Sequence, residues 1–399
     1  MVRKRRKKKK SKYIISFIIV SAFSIILSNS FFFKYKYVNK TATNKEATIK
    51  VNQNKPFIEN SNIPSFPNKS DNFSNVTISS AGDCTIGTDD SFSYGASLPA
   101  MLEKQSNDFS YFFKNVVDIF KNSDISTVNL ETVLTNSNSK VKKPGNITFN
   151  FKGKPEYSKI LTSGSINAVN ISNNHIYDYG TQGFLNTISS LKSENINFFG
   201  EDNKWITEKK GVKFGFIGYM GFSDDSNLLR KIKKDIQDLK NQNCIVIINF
   251  HWGSENYYIP NEVQKHIAHY AIDNGADLII GHHPHVIQGI EQYKGKFICY
   301  SLGNFCFGGN SNPKDKDAYI FQTMFKFQNT TLVSTGIRVI PCSISSLKSY
   351  NDYCPTRMTG DKKQVFFKRL NTLSPNLNLK LDDNFTFLNI IKSNIDVKN

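Results

Sequence analysis

Several features that would narrow the function of this chain at once are missing from it. Its 399 residues hold six cysteines, none of them in a CxxC pair. A thiolate zinc module therefore has no ligand set to draw on. No basic stripe interleaved with aromatics stands out beyond the first twelve residues, so nucleic acid is not an expected partner. No internal repeat is apparent. Acidic residues are absent from positions 1–12, where nine are Lys or Arg, and charge of either sign is absent from Tyr13 to Phe33. A run of that length spans a bilayer as a helix.

What is present follows from these gaps. The basic cluster before the span, with no comparable one after it, puts the N-terminus in the cytoplasm and the remainder outside. A cleaved secretory signal competes, because Ser28-Asn29-Ser30 offers a small-residue site; the apolar run continuing through Phe31, Phe32 and Phe33 favours a retained anchor. Once the nine tail residues are set aside, 42 bases face 33 acids, a balance of +9 against +18 for the whole chain. That sign can favour a polyanionic partner, although a solvated lysine-rich surface explains it more simply. An even cysteine count outside the cytoplasm permits disulfides. Cys244 and Cys299 lie in apolar runs and read as core thiols, and Cys342 with Cys354 is the one candidate bridge.

The organisation expected is a basic cytoplasmic tail (1–12), a transmembrane anchor (13–33), a flexible Asn-, Lys- and Pro-rich linker (34–75), a folded domain (76–340) and a C-terminal extension of no assigned role (341–399). Within the domain one pattern repeats: a short apolar run ends on residues able to bind metal. Val76–Gly82 ends on Asp83, Ile125–Leu130 on Glu131, Ile166–Ile171 on Asn173-Asn174-His175, Cys244–Phe250 on His251, and Leu278-Ile279-Ile280 on Gly281-His282-His283-Pro284-His285. Between them, residues 108–121, 182–195 and 261–274 carry helical apolar periodicity, the second through Leu185, Ile188 and Leu191. Strands alternating with helices predict an α/β sheet whose ligands sit outside the carboxyl ends of the strands, so that five such ends converge on one edge. Residues 211–219, 296–302, 318–327 and 331–340 read as further strands.

Five of the seven histidines fall at these strand ends, with Asp83, Glu131 and Asn174. Imidazole, carboxylate and amide oxygen together suit a divalent ion, with Mn, Zn or Fe preferred to Mg or Ca. Each member alone has a plainer explanation: Asp83 can start a turn, Asp178 can cap the helix that follows, and Glu131 can be a solvated acid. Their joint placement is what argues for a site. His266 and His269, three apart on the third helix, read as surface residues.

The series GD (83), NLE (131), NNHxxDYG (173–180), HWGSE (251–255), GHHPHVIQGIE (281–291) and YSLGNF (300–305) resembles the CapA/PgsA-type capsule-synthesis proteins associated with poly-γ-glutamate, within the calcineurin-like metallophosphoesterase superfamily. The resemblance implies a four-layer αββα sandwich of the metallo-dependent phosphatase type with metals at the strand ends. It implies Asp83, Glu131, Asn174, His251, His283 and His285 as metal ligands, Glu131 bridging two ions, His175 protonating a leaving group, and Asp178 orienting His175. His282 would be an extra. The superfamily's histidine two positions after the first aspartate is replaced here by Thr85, which leaves one ion short of a ligand. The expected role is that of an anchored extracellular component of poly-γ-glutamate production or export, in contact with the acidic polymer and with other membrane capsule-synthesis proteins. Alternatives are a metal-dependent phosphoesterase or amide hydrolase at the cell surface, and a non-catalytic polymer-binding scaffold.

Overall fold

In chain order the strands are β1 (Phe73–Thr85), β2 (Ile125–Leu130), β3 (Val133–Leu134), β4 (Lys152–Gly153), β5 (Ala168–Asn170), β6 (Asn197–Phe199), β7 (Trp205–Lys209), β8 (Val212–Gly221), β9 (Cys244–Trp252), β10 (Leu278–His282), β11 (Ile290–Tyr293), β12 (Lys296–Cys299), β13 (Asn304–Phe307), β14 (Asp317–Gln328), β15 (Thr331–Ser343), β16 (Thr356–Arg357) and β17 (Thr386–Asn389). This computed structural model describes residues 72–145 and 148–389. The expected tail, membrane span and linker up to residue 71 lie outside the described residues. Among the described residues no helix is long and apolar enough to cross a membrane.

The strands build an α/β protein with two large sheets. A nine-stranded sheet runs β16-β15-β14-β1-β2-β5-β6, with β13 added to β1 and β17 to β15; a six-stranded sheet runs β11-β12-β10-β9-β8-β7. β1, β2, β5 and β6 are mutually parallel, as are β8, β9, β10 and β12. Crossovers are made by α1 (Leu98–Lys104), α2 (Val117–Lys121), α3 (Ser158–Ser163), α4 (Gly180–Ser193), α5 (Ser226–Lys240) and α6 (Glu262–Asp273), and α7 (Gly360–Leu373) follows the last long strands.

Side-chain alternation along each strand divides the apolar residues into three clusters. One draws on both sheets, with Ile78, Phe321 and Phe325 from the larger and Phe214, Ile247 and Leu278 from the smaller. A second joins Val128, Leu130 and Ile171 to Phe112, Leu161 and Leu191, and a third joins Ile248 and Phe250 to Ile236 and Ile267. In β9, odd positions such as Ile247 therefore face the other sheet and even ones face helices. Asn249 and His251 share the parity of Ile247; Asn129 and Glu131 share that of Ile125; Asn170 shares that of Ala168. The space between the sheets is apolar along most of the strands and polar at their carboxyl ends.

Several expectations need correction. Residues 108–121 are not one helix. Asp108 accepts from Ser110 N to open a 3-10 turn over Phe109–Phe113, and Val116, at φ −139°, separates that turn from α2. The periodic residues Phe112, Val116 and Phe120 are buried all the same. In α4 the close face is Gly183, Thr187, Ser190 and Leu191, while Leu185 is 52% exposed. Small residues are required there because Thr187 Oγ1 accepts from Leu134 N at 2.9 Å, and a Cβ on Gly183 would lie 3.0 Å from Val133 Cγ1. Cys342 and Cys354 are not bridged; all six cysteines are free and buried. Residues after 340 add β16, β17 and α7, whose Phe366, Phe367 and Leu370 enter the cluster shared by both sheets.

Candidate metal centre

Strand parity and one irregularity deliver the ligand-type residues to a common place. β2 ends at Leu130, so Glu131 follows with its side chain on the side facing the other sheet. β1 would present Asp83 on the opposite side, but its register against β2 slips between Ser80 and Asp83. Ala81 and Cys84 thus both face the helices, and Asp83 is turned between the sheets. Gly82 permits this bend, since a Cβ there would sit 1.9 Å from Gly303 O. The convergence is therefore not on one sheet edge as expected. Asp83, Glu131, Asn174 and His175 come from the larger sheet, and His251, His283 and His285 from the smaller.

Two triads share Glu131. Ligand atoms of Glu131, His251 and His283 lie within 4.8 Å of one another, as do those of Asp83, Glu131 and His285. In the first, His251 Nε2 is 3.4 Å from Glu131 Oε1, 3.1 Å from His283 Nδ1 and 2.7 Å from Asn174 Oδ1. In the second, His285 is 3.4 Å from Asp83 Oδ2 through Nδ1 and 3.8 Å from Glu131 Oε1 through Nε2. His283 and His285 have φ of 96° and 57°, the left-handed region, at a cost of about 1–3 kcal/mol each. Their backbone is held by His283 N donating to Asp83 Oδ2 at 3.2 Å and by Asn304 Nδ2 donating to His285 O at 3.1 Å.

Electrostatics set the six groups apart. Burial alone would raise Asp83, but its hydrogen bond to His285 and the charges of the neighbouring histidines outweigh that and hold it well below the usual carboxylate range. Burial, reinforced by the Asp83 charge, pushes Glu131 up to about 8. Burial lowers His251 to about 3, His283 to about 2 and His282 to about 4. For His285 burial acts downward too, yet Glu131 and Asp83 overcome it and raise the ring to about 10.

The donor set fits a divalent cation. Glu131 is fully buried, and neither of its carboxylate oxygens has a hydrogen-bond partner. An unpaired buried carboxylate costs several kcal/mol, which a bound cation offsets. Burial favours the neutral form of the His251 and His283 rings, the form that ligation requires. Thr85, two positions after Asp83, is fully buried with its hydroxyl unpartnered.

A cleft of about 550 Å³ opens beside the centre, lined by Phe149, Phe151, His175, Glu255, His285 and Asn304 among others. His175 Nδ1 is 2.7 Å from Asp178 Oδ2, which also accepts from Phe151 N at 2.7 Å. Lys143 ion-pairs with Asp178. Asp178 therefore does not cap α4, whose start at Tyr179 has no side-chain cap. His282 is buried against Asn249, 2.9 Å away, and lies outside both triads. His266 and His269 pair with Asp224 and Glu291 instead.

Three contributors went unread in the sequence. Asn129 Nδ2 donates to Asp83 Oδ1 at 2.7 Å and lies 3.3 Å from His251 Nδ1, so one amide spans both sheets. Asn304 Oδ1 is 2.9 Å from His285 Nδ1. Both sit inside quoted motifs, NLE and YSLGNF, where they could have been noticed; nothing local marks the third, Lys143.

Two sheets that pool carboxylates, imidazoles and an amide at their carboxyl edges define an α/β protein with a candidate divalent-metal centre. The chain belongs to the bacterial capsule synthesis protein PGA_cap family, whose family model matches residues 77–309 and so takes in every residue of both triads. The capsule biosynthesis protein CapA of Bacillus anthracis is 28% identical over 279 residues, 64% of this chain and 66% of that protein. The PGA biosynthesis protein CapA of Bacillus subtilis is 33% identical over 215 residues, 49% of this chain and 56% of that protein. A probable polyglutamine synthesis accessory protein of Mycobacterium tuberculosis is 24% identical over 262 residues, 57% of this chain and 67% of that protein. The chain thus spans just under two thirds of the first of these and about half of the second.

Proposed function

We propose that this chain is a membrane-anchored extracellular component of poly-γ-glutamate capsule production or export, whose domain acts on the polymer through a divalent-metal centre. The observation that carries the reading is Glu131, buried, unpartnered and common to two triads drawn from different sheets. The two sheets with helix-facing clusters on either side support a four-layer αββα sandwich of the metallo-dependent phosphatase type. Mixed imidazole, carboxylate and amide donors favour Mn, Zn or Fe over Mg or Ca. The basic tail and uncharged run support a single span with the N-terminus in the cytoplasm, and the net positive charge suits an acidic polymer. Other membrane capsule-synthesis proteins are the natural partners of such an anchored domain. Deleting the gene in its host should lower the amount or length of surface poly-γ-glutamate; unchanged polymer overturns the reading.

A second reading, hydrolysis of a phosphoester or of the polymer's γ-amide, is favoured by the His175–Asp178 pair beside the centre. Asp83, Glu131, Asn174, His251, His283 and His285 would hold the metal, which when bound supplies Lewis-acid polarisation and an activated water. Asp178 fixes His175 through Nδ1 and leaves Nε2 as the nitrogen that can pass a proton to a leaving group in the cleft. Phe151 packs on the His175 ring at 4.4 Å between centroids and limits its movement. The full-length chain supplied with Mn²⁺ or Zn²⁺ should cleave one of these substrate classes and lose that activity in His251→Ala; silence on both removes this second reading.

A further inference from the structure

The HWGSE segment contributes more than its histidine. Just after β9, Gly253 takes φ 80°, and a Cβ there would lie 2.6 Å from Gln264 Oε1, so the chain turns at a position only glycine fits. Gln264 cannot yield readily, because it closes the capping box of α6 with Asn261 and donates to Gln288 Oε1 at 2.9 Å. The loop that leaves this turn is tied twice to the histidine segment. Asn256 N donates to Pro284 O at 2.8 Å, and Gln288 Nε2 donates to Tyr257 O at 2.7 Å. Pro284 stands between His283 and His285, so the residue before Asn256 is held alongside both rings.

That residue is Glu255. A carboxylate oxygen of Glu255 and ring nitrogens of His283 and His285 lie within 4.8 Å of one another, a third triad beside the two that share Glu131. Glu131 is fully buried, whereas Glu255 is exposed and lines the cleft together with His175 and His285. The two glutamates therefore bracket the histidine pair, one from the protein interior and one from the solvent side. We infer that Glu255 is a further, displaceable metal ligand that caps the open face of the centre and supplies to the Asp83–His285 half the donor that Thr85 does not. The inference rests on the metal-centre reading above. It also bears on ligands, since an anionic group entering the cleft has to displace this carboxylate or meet its repulsion.

The experiment is a calorimetric titration of Mn²⁺ into the chelator-stripped full-length chain, as wild type, Glu255→Gln and Glu255→Asp. Glu255 is exposed, so neither variant disturbs the core. The wild type should bind Mn²⁺ in two events. Glu255→Gln should weaken the weaker event by about tenfold or more and leave the tighter one within about twofold. Glu255→Asp, which keeps the charge but is one methylene shorter, should not regain wild-type affinity. Inorganic phosphate should bind the Mn²⁺-loaded Glu255→Gln protein more tightly than the wild type. Wild-type affinity for both events in Glu255→Gln, or full recovery in Glu255→Asp, overturns the inference and leaves the metal-centre reading intact. A wild-type chain that takes up no Mn²⁺ overturns both.

Discussion

On one side of Glu131, His251 is fully buried, His283 nearly so, and Asn174 stands 2.7 Å from the His251 ring. On the other side Asp83 is fully buried, but the His285 side chain is 15% exposed to the cleft, and the nearby Thr85 offers no imidazole. Both halves share a carboxylate and are fed by parallel strands, yet one is closed and the other keeps an open position. Closed sites hold an ion in place, and open ones leave room for water or substrate, so under the proposed reading the His251 half would hold an ion and the His285 half would meet the substrate.

Removing His251 should have the largest effect. His251→Ala should weaken the tighter Mn²⁺ event by more than about 100-fold, as read by calorimetry, because every other donor of that half is arranged around this ring. Retained tight binding would erase the distinction between the halves. Glu131→Gln should act on both halves at once, and differently with and without metal. Without metal at pH 7 it should leave stability within about 1 kcal/mol, since Glu131, raised to about 8, is already mostly neutral there and glutamine keeps its shape. With Mn²⁺ at 100 times its Kd the wild type should gain about 2.7 kcal/mol and the variant much less. Thermal melts at pH 7 with and without Mn²⁺ read both; a variant that gains as much from Mn²⁺ as the wild type would contradict the shared role assigned to Glu131.

A smaller effect is expected from pH. Glu131 raised to about 8 and His285 raised to about 10 hold protons in the folded chain that the unfolded chain releases above its ordinary values of 4.5 and 6.5. Their stabilisation is present below those ordinary values and lost as pH climbs through 8 and 10. Asp83, His251, His282 and His283 are lowered, so their contributions are already complete above pH 6.5. The melting temperature of the metal-free chain should therefore fall between about pH 6.5 and 10. Mn²⁺ should flatten that fall, because ligation favours the deprotonated groups. A melting temperature that rises across this window without metal would reverse the sign and break the assignment.

Much of this was legible in the sequence because strand ends are local events. Ile125–Leu130 followed by Glu131, and Leu278 to Ile280 followed by the histidines, are visible as apolar runs that stop on ligand-type residues. Which sheet each strand joins is not local, so five ends that read as one edge proved to be three from one sheet and two from another. The slip that turns Asp83 inward depends on the close approach of Gly82 to Gly303, more than two hundred positions away. Leu185 fits a helical stripe in sequence yet faces solvent, since the side of α4 that meets β3 has to be small. Glu255 could be quoted as part of a motif, but its place over the histidines comes from the Asn256–Pro284 hydrogen bond, which no spacing reveals.

Anomalous diffraction from Mn²⁺-loaded crystals of the chain tests the central claim most directly. Two peaks about 3.5–4 Å apart are expected, one on each side of the Glu131 carboxylate. One should contact His251 and His283, and the other Asp83 and His285. No peak, or a peak that does not touch Glu131, would contradict it.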